Sequence, residues 1–291
     1  MSEHRKPSGR PLYPVLPLCR LLGISPQGYY KHQDSYLEEP VLQTSIILYC
    51  QHLRTLLPKC GCRELLALCQ DYFQEKFTIG RDSFYSLLRA NNLMLRKRYY
   101  RPRTTDSKHG LRLYPDLLNT TPKLQVKQHG ELVVGDITYL RTMDGFAFLS
   151  LLTDAYSRMI VGYALHPTLE KEGPLKALEM CIKHYQSMGV KLEHLIHHTD
   201  RGCQYASNEY THILHQHHIK ISMTQSGDPL HNALAERMNN TIKNSWHVES
   251  TDYSFQDAQK AVDNAVKLYN TFRPHSALGM IPPQDFLQSC L

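Results

Sequence analysis

The sequence has 291 residues, of which 42% are hydrophobic, and it carries a formal net charge of +6 at pH 7. A chain of this length can bury a large core without covalent cross-links, so its eight scattered cysteines are predicted to be reduced thiols. The longest apolar runs are far too short to cross a bilayer. These features exclude a disulfide scaffold and a membrane-spanning protein, and they predict a soluble cytoplasmic protein.

The charge is divided unevenly along the chain. Residues 1–128 hold 20 Lys and Arg against 10 Asp and Glu, whereas residues 129–291 hold 13 against 17. A basic N-terminal part is typical of polyanion binding, and a mildly acidic C-terminal part is compatible with a cluster of carboxylates. A set of solvated surface helices is the alternative explanation for the basic part.

The N-terminal third is predicted to be helical. Residues 1–15, which contain several prolines and basic residues, are predicted to form a disordered arm. The pairs of helices that flank Gly23 and Gly80 have the order of a helix-turn-helix, although a helical hairpin without DNA contact explains the first pair equally well. Within a helical DNA-binding region at 16–103, apolar periodicity predicts helices at 16–22, 27–32, 41–57, 63–73 and 82–91.

Five basic residues and two tyrosines are interleaved between residues 95 and 103. Cationic side chains bind DNA phosphates and tyrosines can pack on sugars or bases, so this segment is a candidate nucleic-acid contact. A solvated linker is the alternative. Residues 104–128 have little periodicity and are predicted to connect two domains. The candidates for phosphate contact are Arg96, Lys97, Arg98 and Arg101.

The C-terminal part, residues 129–286, changes to an α/β pattern. Three β-rich runs at 131–141, 146–157 and 159–169 are joined by short connections and predict an antiparallel meander. A helix, a strand, a helix, a strand and long helices follow, and such crossovers place the last two strands parallel to the first. This order predicts a ribonuclease-H-like α/β core, preceded by the all-α helix-turn-helix region. The later elements are predicted at 173–188, 192–198, 207–219, 219–224, 229–246 and 254–272.

Three carboxylates in this core require a functional explanation. Asp136 interrupts an apolar strand, where an unpaired buried charge costs several kcal/mol. Asp200 follows the fourth strand, at the edge where parallel sheets place their sites, and Glu236 lies on the helix after the fifth strand. Carboxylate oxygens suit Mg²⁺, and one or two such ions can assist phosphoryl transfer. We therefore predict a divalent-metal site that acts on DNA.

The helix that carries Glu236 has two contrasting faces. Leu234, Met238 and Ile242 recur every four residues and predict a stripe that packs against the core. Glu236 lies about 200° around the helix from Leu234, so it points away from that stripe. Its companions on the polar face, which are predicted to contact a nucleic-acid strand, are Asn239, Asn240 and Lys243.

Other potential metal ligands give weaker signals. His198 shares a strand face with Asp200 and is predicted either to support that carboxylate or to pack at the end of the strand. Cys60 and Cys62 are separated by one residue, whereas a zinc knuckle needs two or more, so structural zinc is not predicted there.

Four motifs, which together span about half of the chain, carry a specific resemblance when taken together. They are Asp136-Ile-Thr-Tyr139, His198-Thr-Asp-Arg-Gly-Cys-Gln-Tyr205, Asn232-Ala-Leu-Ala-Glu-Arg237 and Tyr269-Asn-Thr-Phe-Arg-Pro-His-Ser-Ala-Leu-Gly279. With 35 residues between Asp200 and Glu236, the chain resembles the catalytic OrfB subunit of bacterial insertion-sequence transposases, within the retroviral integrase superfamily.

The resemblance implies a D-D-E transposase that uses Mg²⁺ or Mn²⁺ to nick element ends and to join their 3′-OH groups to target DNA. It implies that Asp136, Asp200 and Glu236 are metal ligands and that Lys243 contacts the DNA end. The implied partners are DNA, further copies of this chain on DNA, and an upstream helix-turn-helix subunit with the heptad-repeat zipper that this chain does not show.

The sequence departs from the family pattern at a few positions, namely Val133-Val134, Cys60, Cys62 and His231. The last of these bears on DNA-end specificity more than on catalysis. Two other functions stay open from the sequence: a ribonuclease-H-like nuclease that does not join strands, and a DNA-binding protein with an inactive catalytic domain. The N-terminal helices argue against the first, and the complete set of carboxylates argues against the second.

Overall fold

The computed structural model describes residues 15–23, 25–95, 111–119, 124–224 and 233–290. The chain divides into two compact units, one formed by Met1–His52 with Cys69–Met94 and the other by Leu53–Leu68 with Leu95–Leu291. Within the described ranges, every helix is either too short or too polar to cross a membrane.

The N-terminal helical region is confirmed, with one correction to its elements. The predicted helices at 27–32 and 41–57 are parts of a single helix of 31 residues, which has Pro40 in its interior. The residues between them contain no glycine, and the helix continues through Pro40 although an interior proline loses one backbone hydrogen bond and crowds the preceding turn. The helices are α1 (Val15–Leu22), α2 (Pro26–Leu56), α3 (Cys62–Phe73) and α4 (Arg81–Ala90).

The first unit has its own small core. Ile46 and Cys50 from α2 are fully buried, as are Phe84 and Leu88 from α4. At the edge of this core, the rings of Tyr49 and Tyr72 stack with their centroids 4.1 Å apart, and the Sγ atoms of Cys50 and Cys69 lie 3.6 Å apart. The apolar residues that recur along these helices therefore form the buried core of the first unit.

The second unit contains the predicted ribonuclease-H-like core. Among the described residues, five strands form one mixed sheet in the order β3-β2-β1-β4-β5. The first three are antiparallel, and β4 and β5 run parallel to β1, as predicted from the crossover connections. The strands are β1 (Leu132–Thr142), β2 (Gly145–Asp154), β3 (Ile160–His166), β4 (Ile196–Thr199) and β5 (Lys220–Met223).

Helices cover both faces of this sheet. The alternation of side chains along β1 sends Val133 into a cluster with Leu178, Tyr185 and Leu214, and sends Val134 into a cluster with Ala235. Both faces of β1 are therefore buried, which explains its nearly continuous apolar sequence. The helices of the unit are α5 (Glu172–Ser187), α6 (Cys203–Ala206), α7 (Asn208–Gln216), α8 (Ala233–Ser245), α9 (Phe255–Thr271) and α10 (Pro283–Ser289).

Asp154, at the end of β2, is a fully buried hub of hydrogen bonds. Its carboxylate accepts from the backbone N–H groups of Gly130 (2.9 Å) and Ser157 (2.7 Å) and from the Tyr185 hydroxyl (3.0 Å). Although burial alone would raise it, the neighbouring His129 and the backbone N–H donors of Gly130 and Ser157 hold the pKa of Asp154 below its ordinary value. The ionised Asp154 side chain thus connects three parts of the unit, namely the residues just before β1, the turn between β2 and β3, and α5.

Candidate active site

Asp136 and Asp200 lie side by side at the same edge of the sheet. The parallel register of β1 and β4 pairs Gly135 with Thr199, and each aspartate is the next residue along its chain. Both side chains are half-buried and line one open cleft of about 670 Å³. The prediction that the carboxyl end of β4 brings these two residues together is therefore realised in the fold.

Two donors hold the Asp136 carboxylate. Its Oδ1 accepts from the Ile137 backbone N–H at 2.9 Å, and its Oδ2 accepts from the Asn239 side-chain amide at 2.8 Å. Burial, and secondarily the Asp200 carboxylate, nevertheless raise the pKa of Asp136 from 3.8 to about 7. In the metal-free fold, the surroundings of Asp136 therefore disfavour the charged form of its carboxylate.

Asp200 is fixed by the turn that follows β4. Its Oδ1 accepts from the backbone N–H of Gly202 at 2.9 Å. A Cβ atom at position 202 would lie only 3.0 Å from that oxygen, so glycine allows the carboxylate to fold back onto the turn. Glycine at position 202 thus has a specific steric reason in the turn that follows β4.

Glu236 is an exposed residue of α8. Partial burial and the charge of Asp200 raise its pKa, and Glu236 in turn contributes to the raised pKa of Asp136. The three carboxylates therefore interact electrostatically. In the part of the chain that the structure describes, no three His, Cys, Asp or Glu side chains lie close enough together to hold a metal ion.

The polar face of α8 differs from the prediction. The stripe that includes Met238 and Ile242 is buried as predicted, but Asn239 is only 5% exposed and Lys243 only 8%. The Lys243 ammonium donates to the Tyr139 carbonyl at 2.6 Å and lies 3.3 Å from the Glu249 carboxylate. Asn239 and Lys243, which were predicted to contact a nucleic-acid strand, are instead buried, because this side of α8 packs against the polar end of β1.

Asn240 is the exposed member of the predicted polar set on α8. The contact of Asn239 with Asp136 instead makes Asn239 a support for the carboxylate, and Lys243 ties the next turn of α8 to β1. Together they fix the rotation of α8 about its axis and hence the direction of Glu236.

Replacing Asn239 should therefore weaken cation binding at this site. In Asn239→Ala, Asp136 loses the donor that stabilises its charged form, and we expect the affinity for Mn²⁺ to fall about 10- to 100-fold, the usual effect of losing a support of a metal ligand. Isothermal titration calorimetry on the full chain measures this. Asn264→Ala, at an exposed asparagine of α9, is the matched control, and equal affinities in the two variants would contradict the assignment.

His198 lies in the buried strand end. Its Nδ1 is hydrogen-bonded to the Ser222 hydroxyl on β5 at 2.8 Å, and that hydroxyl also accepts from the backbone N–H of Leu117. This contact corresponds to the packed strand-end alternative for His198. The basic candidates Arg96, Lys97, Arg98 and Arg101 lie outside the described residues, as does Asn232.

The Tyr269–Gly279 motif has a packing role in the structure. The side chain of Asn270 is bonded to both backbone groups of Ile160, at 3.0 Å and 2.9 Å, and the Tyr269 hydroxyl donates to the Arg158 carbonyl. These bonds fasten α9 to the start of β3. The motif therefore supports the sheet rather than lining the cleft.

Sequence reasoning missed two notable side chains of the core. Asp154 carried the same signal as Asp136, an acidic residue at the end of an apolar run, but it was not singled out. Tyr205 lines the cleft beside Asp136 and Asp200 and was quoted only as the last residue of a motif. Its burial could not be read from a segment with so little periodicity.

Comparisons with known proteins agree with this fold. Two family profiles described as integrase core domain match residues 126–229 and 217–283. The chain is 30% identical over 276 residues to an uncharacterised 31 kDa protein of insertion element IS600 from Shigella sonnei, covering 92% of this chain and 97% of that protein.

Shorter alignments link the chain to proteins named as transposases. It is 36% identical over 156 residues to a putative transposase of IS986/IS6110 from Mycobacterium tuberculosis, covering 53% of this chain and 56% of that protein. Identity to the IS904 transposase of Lactococcus lactis is 32%, with 59% of this chain and 66% of the relative covered. The chain thus spans between half and two thirds of these two relatives.

Among solved structures, the catalytic core of HTLV-2 integrase in complex with magnesium is 17% identical, with a TM-score of 0.42 over 55% of this chain and 97% of that one. A simian T-cell lymphotropic virus intasome is 15% identical, with a TM-score of 0.45 over 82% of this chain and 74% of that one.

Proposed function

Because this chain belongs to the insertion-sequence transposases of the retroviral integrase superfamily, which are polynucleotidyl transferases, we propose that it cleaves element ends and joins them to target DNA at a D-D-E carboxylate site. The observation that carries this proposal is the pair of Asp136 and Asp200, which lie at the same edge of the sheet and line one cleft, with the Glu236 carboxylate contributing to the raised pKa of Asp136. Asp200 raises the pKa of both Asp136 and Glu236, which is the effect expected where carboxylates lie near one another without a cation between them.

The residues present fit one or two Mg²⁺ ions, for which Mn²⁺ would substitute. All three side chains offer hard oxygen atoms, and the buried Oδ1 of Asn239 has no hydrogen-bond partner among the described residues. A hydrated cation brings water donors that would satisfy such an acceptor. When bound, the ions would stabilise the attacking and leaving oxygens of an in-line displacement at phosphorus.

The protein's own contribution is to hold three carboxylates in place around an open cleft. Ile137 and Asn239 orient Asp136, the Gly202 turn orients Asp200, and the packing of α8 directs Glu236 toward them. The cleft beside the two aspartates leaves room for the scissile phosphate and for a water or 3′-OH nucleophile. No protein side chain needs to act as a nucleophile.

The proposal is tested by incubating the full chain with oligonucleotides that carry the element ends, a target duplex and Mg²⁺. Joined products support a transposase. Cleavage without joining would instead support a ribonuclease-H-like nuclease, and DNA binding without either would support an inactive catalytic domain. Membership of the transposase family does not favour these two alternatives.

Cation affinity should depend on pH through Asp136. The pKa of about 7 means that Asp136 is mostly protonated below that pH, so a cation must displace a proton there. We expect Mn²⁺ affinity to rise about tenfold from pH 6 to pH 8, measured by titration calorimetry. Asp136→Asn should flatten this dependence, and equal affinities of the parent protein at both pH values would contradict it.

Whereas cation affinity is expected to rise with pH, the contribution of Asp136 to the stability of the metal-free fold is expected to fall. Because folding raises the pKa of Asp136, the protonated form is favoured in the folded state. This contribution is fully present below the ordinary pKa of 3.8 and is lost as the pH rises through about 7. Cation binding would thus offset a loss of stability at neutral pH.

Partners and location follow from the same proposal. We propose that Arg96, Lys97, Arg98 and Arg101 contact DNA phosphates, on the strength of their composition and spacing. The chain is proposed to act as a homo-oligomer on DNA in the bacterial cytoplasm, together with an upstream helix-turn-helix and zipper subunit. The helical region at 16–103 is proposed as its DNA-binding domain, joined by a linker at 104–128 to the catalytic core at 129–286.

A further inference from the structure

Two histidine side chains meet beside the buried Asp154 carboxylate. His129 lies just before β1, and His184 lies in the last turn of α5. Their Nε2 atoms are 3.2 Å apart, and the planes of the two rings are inclined by 83°. Only 8% of the His129 side chain is exposed, whereas His184 is half-buried. The two rings therefore form a pair that is enclosed on the His129 side and open to solvent on the His184 side.

The other ring nitrogen of His129 is held by the Asp154 hydrogen bonds. Its Nδ1 lies 3.0 Å from the Ser157 hydroxyl and 3.2 Å from Oδ1 of Asp154. The ionised Asp154 can only accept, and the Ser157 hydroxyl donates its own proton to Asp154 at 2.9 Å. Nδ1 must therefore carry a proton, and Nε2 is the nitrogen that faces His184. A carboxylate that fixes an imidazole in this way is the usual support of a metal-bound histidine.

The two facing nitrogen atoms can hold only one proton between them. At 3.2 Å, two N–H groups pointing at each other would clash, so the metal-free pair forms a single N–H···N hydrogen bond. Burial, and secondarily the neighbouring His129, lower the pKa of His184, although Asp154 acts in the opposite direction. His184 is therefore a neutral imidazole at neutral pH, which is the form that binds metal ions.

The spacing of the two nitrogen atoms also matches a shared metal ion. Two zinc–imidazole bonds of about 2.0–2.1 Å at the tetrahedral angle place their nitrogen atoms about 3.3 Å apart. A metal ion can thus replace the proton between the rings with little movement of either ring, and that proton moves to Nδ1 of His184 or to solvent. Imidazole nitrogen suits Zn²⁺, Cu²⁺ and Ni²⁺, whereas Mg²⁺ and Mn²⁺ prefer the oxygen atoms of carboxylates.

We propose that Nε2 of His129 and Nε2 of His184 together bind a divalent transition-metal ion such as Zn²⁺, whose remaining positions are taken by water. The described part of the chain offers no third His, Cys, Asp or Glu close enough to join them, so the site is open and exchangeable. A bound ion would connect the residues just before β1 to the last turn of α5. Neither histidine lines the cleft of Asp136 and Asp200, and the inference does not depend on the proposed function.

The test measures Zn²⁺ binding to the full chain by titration calorimetry, with Mg²⁺ in excess to occupy the carboxylate site. His184→Gln removes one of the two nitrogen ligands, and His212→Gln, at an exposed histidine of α7, is the matched control. We expect the Zn²⁺ affinity to fall about tenfold or more in His184→Gln, since removing even a residue that supports a ligand costs that much. His212→Gln should bind Zn²⁺ as the parent protein does.

Stability and crystallography give two further readouts. Zn²⁺ should raise the midpoint of urea unfolding of the parent protein and of His212→Gln but not that of His184→Gln. Crystals of the parent protein grown with Zn²⁺ should show an anomalous peak at the zinc edge between the two Nε2 atoms, a result that needs no variant to fold. Parental Zn²⁺ affinity in His184→Gln, or zinc peaks elsewhere and none between these atoms, would overturn the inference and leave the pair as a hydrogen bond only.

Discussion

Asp136→Asn should abolish strand joining while leaving the protein folded. The substitution keeps the shape of the side chain but removes the charge on which a cation at this site would depend. We expect the rate to fall at least as much as on loss of one preorganised group from an active site, about 10²- to 10³-fold. The unfolding midpoint without metal should be unchanged or higher, because burial already penalises the charge of Asp136.

Variants of the other two carboxylates and of a control residue test whether this loss of activity is specific to the site. Asp200→Asn and Glu236→Gln should each cause a loss of similar size, and combining two of the three should add little, since the carboxylates act as one unit. Asp263→Asn, at an exposed aspartate of α9, is the matched control and should retain parental activity. Joining at the parental rate in any single variant of the three would remove that residue from the site.

Asp154→Ala should give the largest loss of stability in the core, about 3–5 kcal/mol, the range for removing one partner of a buried charged network. The substitution leaves three buried donors without their hydrogen-bond acceptor, namely the backbone N–H groups of Gly130 and Ser157 and the Tyr185 hydroxyl. Urea unfolding monitored by circular dichroism measures the change. Because the pKa of Asp154 is lowered in the fold, its stabilisation is present above the ordinary value of 3.8 and is lost as the pH falls.

Tyr185→Phe provides the graded control for this prediction. It removes one of the donors to Asp154 and leaves the others, so we expect a loss of about 1 kcal/mol. If Asp154→Ala were no more destabilising than Tyr185→Phe, the carboxylate would not be the hub that its contacts indicate.

The strand order and the position of the aspartates could be predicted because they follow from strong local signals. The short connections impose an antiparallel meander, and the crossovers impose parallel pairing of β4 with β1. Once β4 lies beside β1, Asp136 and Asp200 must be neighbours at the carboxyl edge. The assignment of Glu236 to the same site stays a prediction, and it rests on the place of this residue on α8, the helix after β5.

The contacts of α8 could not be predicted from its sequence. Helical periodicity states which side chains share a face, but it does not state whether a polar face meets solvent or another polar element. Asn239 and Lys243 are buried because β1 offers them a carboxylate and a carbonyl oxygen at that side. Those acceptors are determined by tertiary packing, and no pattern within α8 encodes them.

The most direct test of the carboxylate site is anomalous scattering at the manganese edge from crystals of the full chain grown with Mn²⁺. We predict one or two peaks bound by oxygen atoms of Asp136, Asp200 and Glu236, with Asn239 still bonded to Asp136. Manganese bound elsewhere, or no peak at a concentration that supports strand joining, would contradict the assignment of these residues as the metal site.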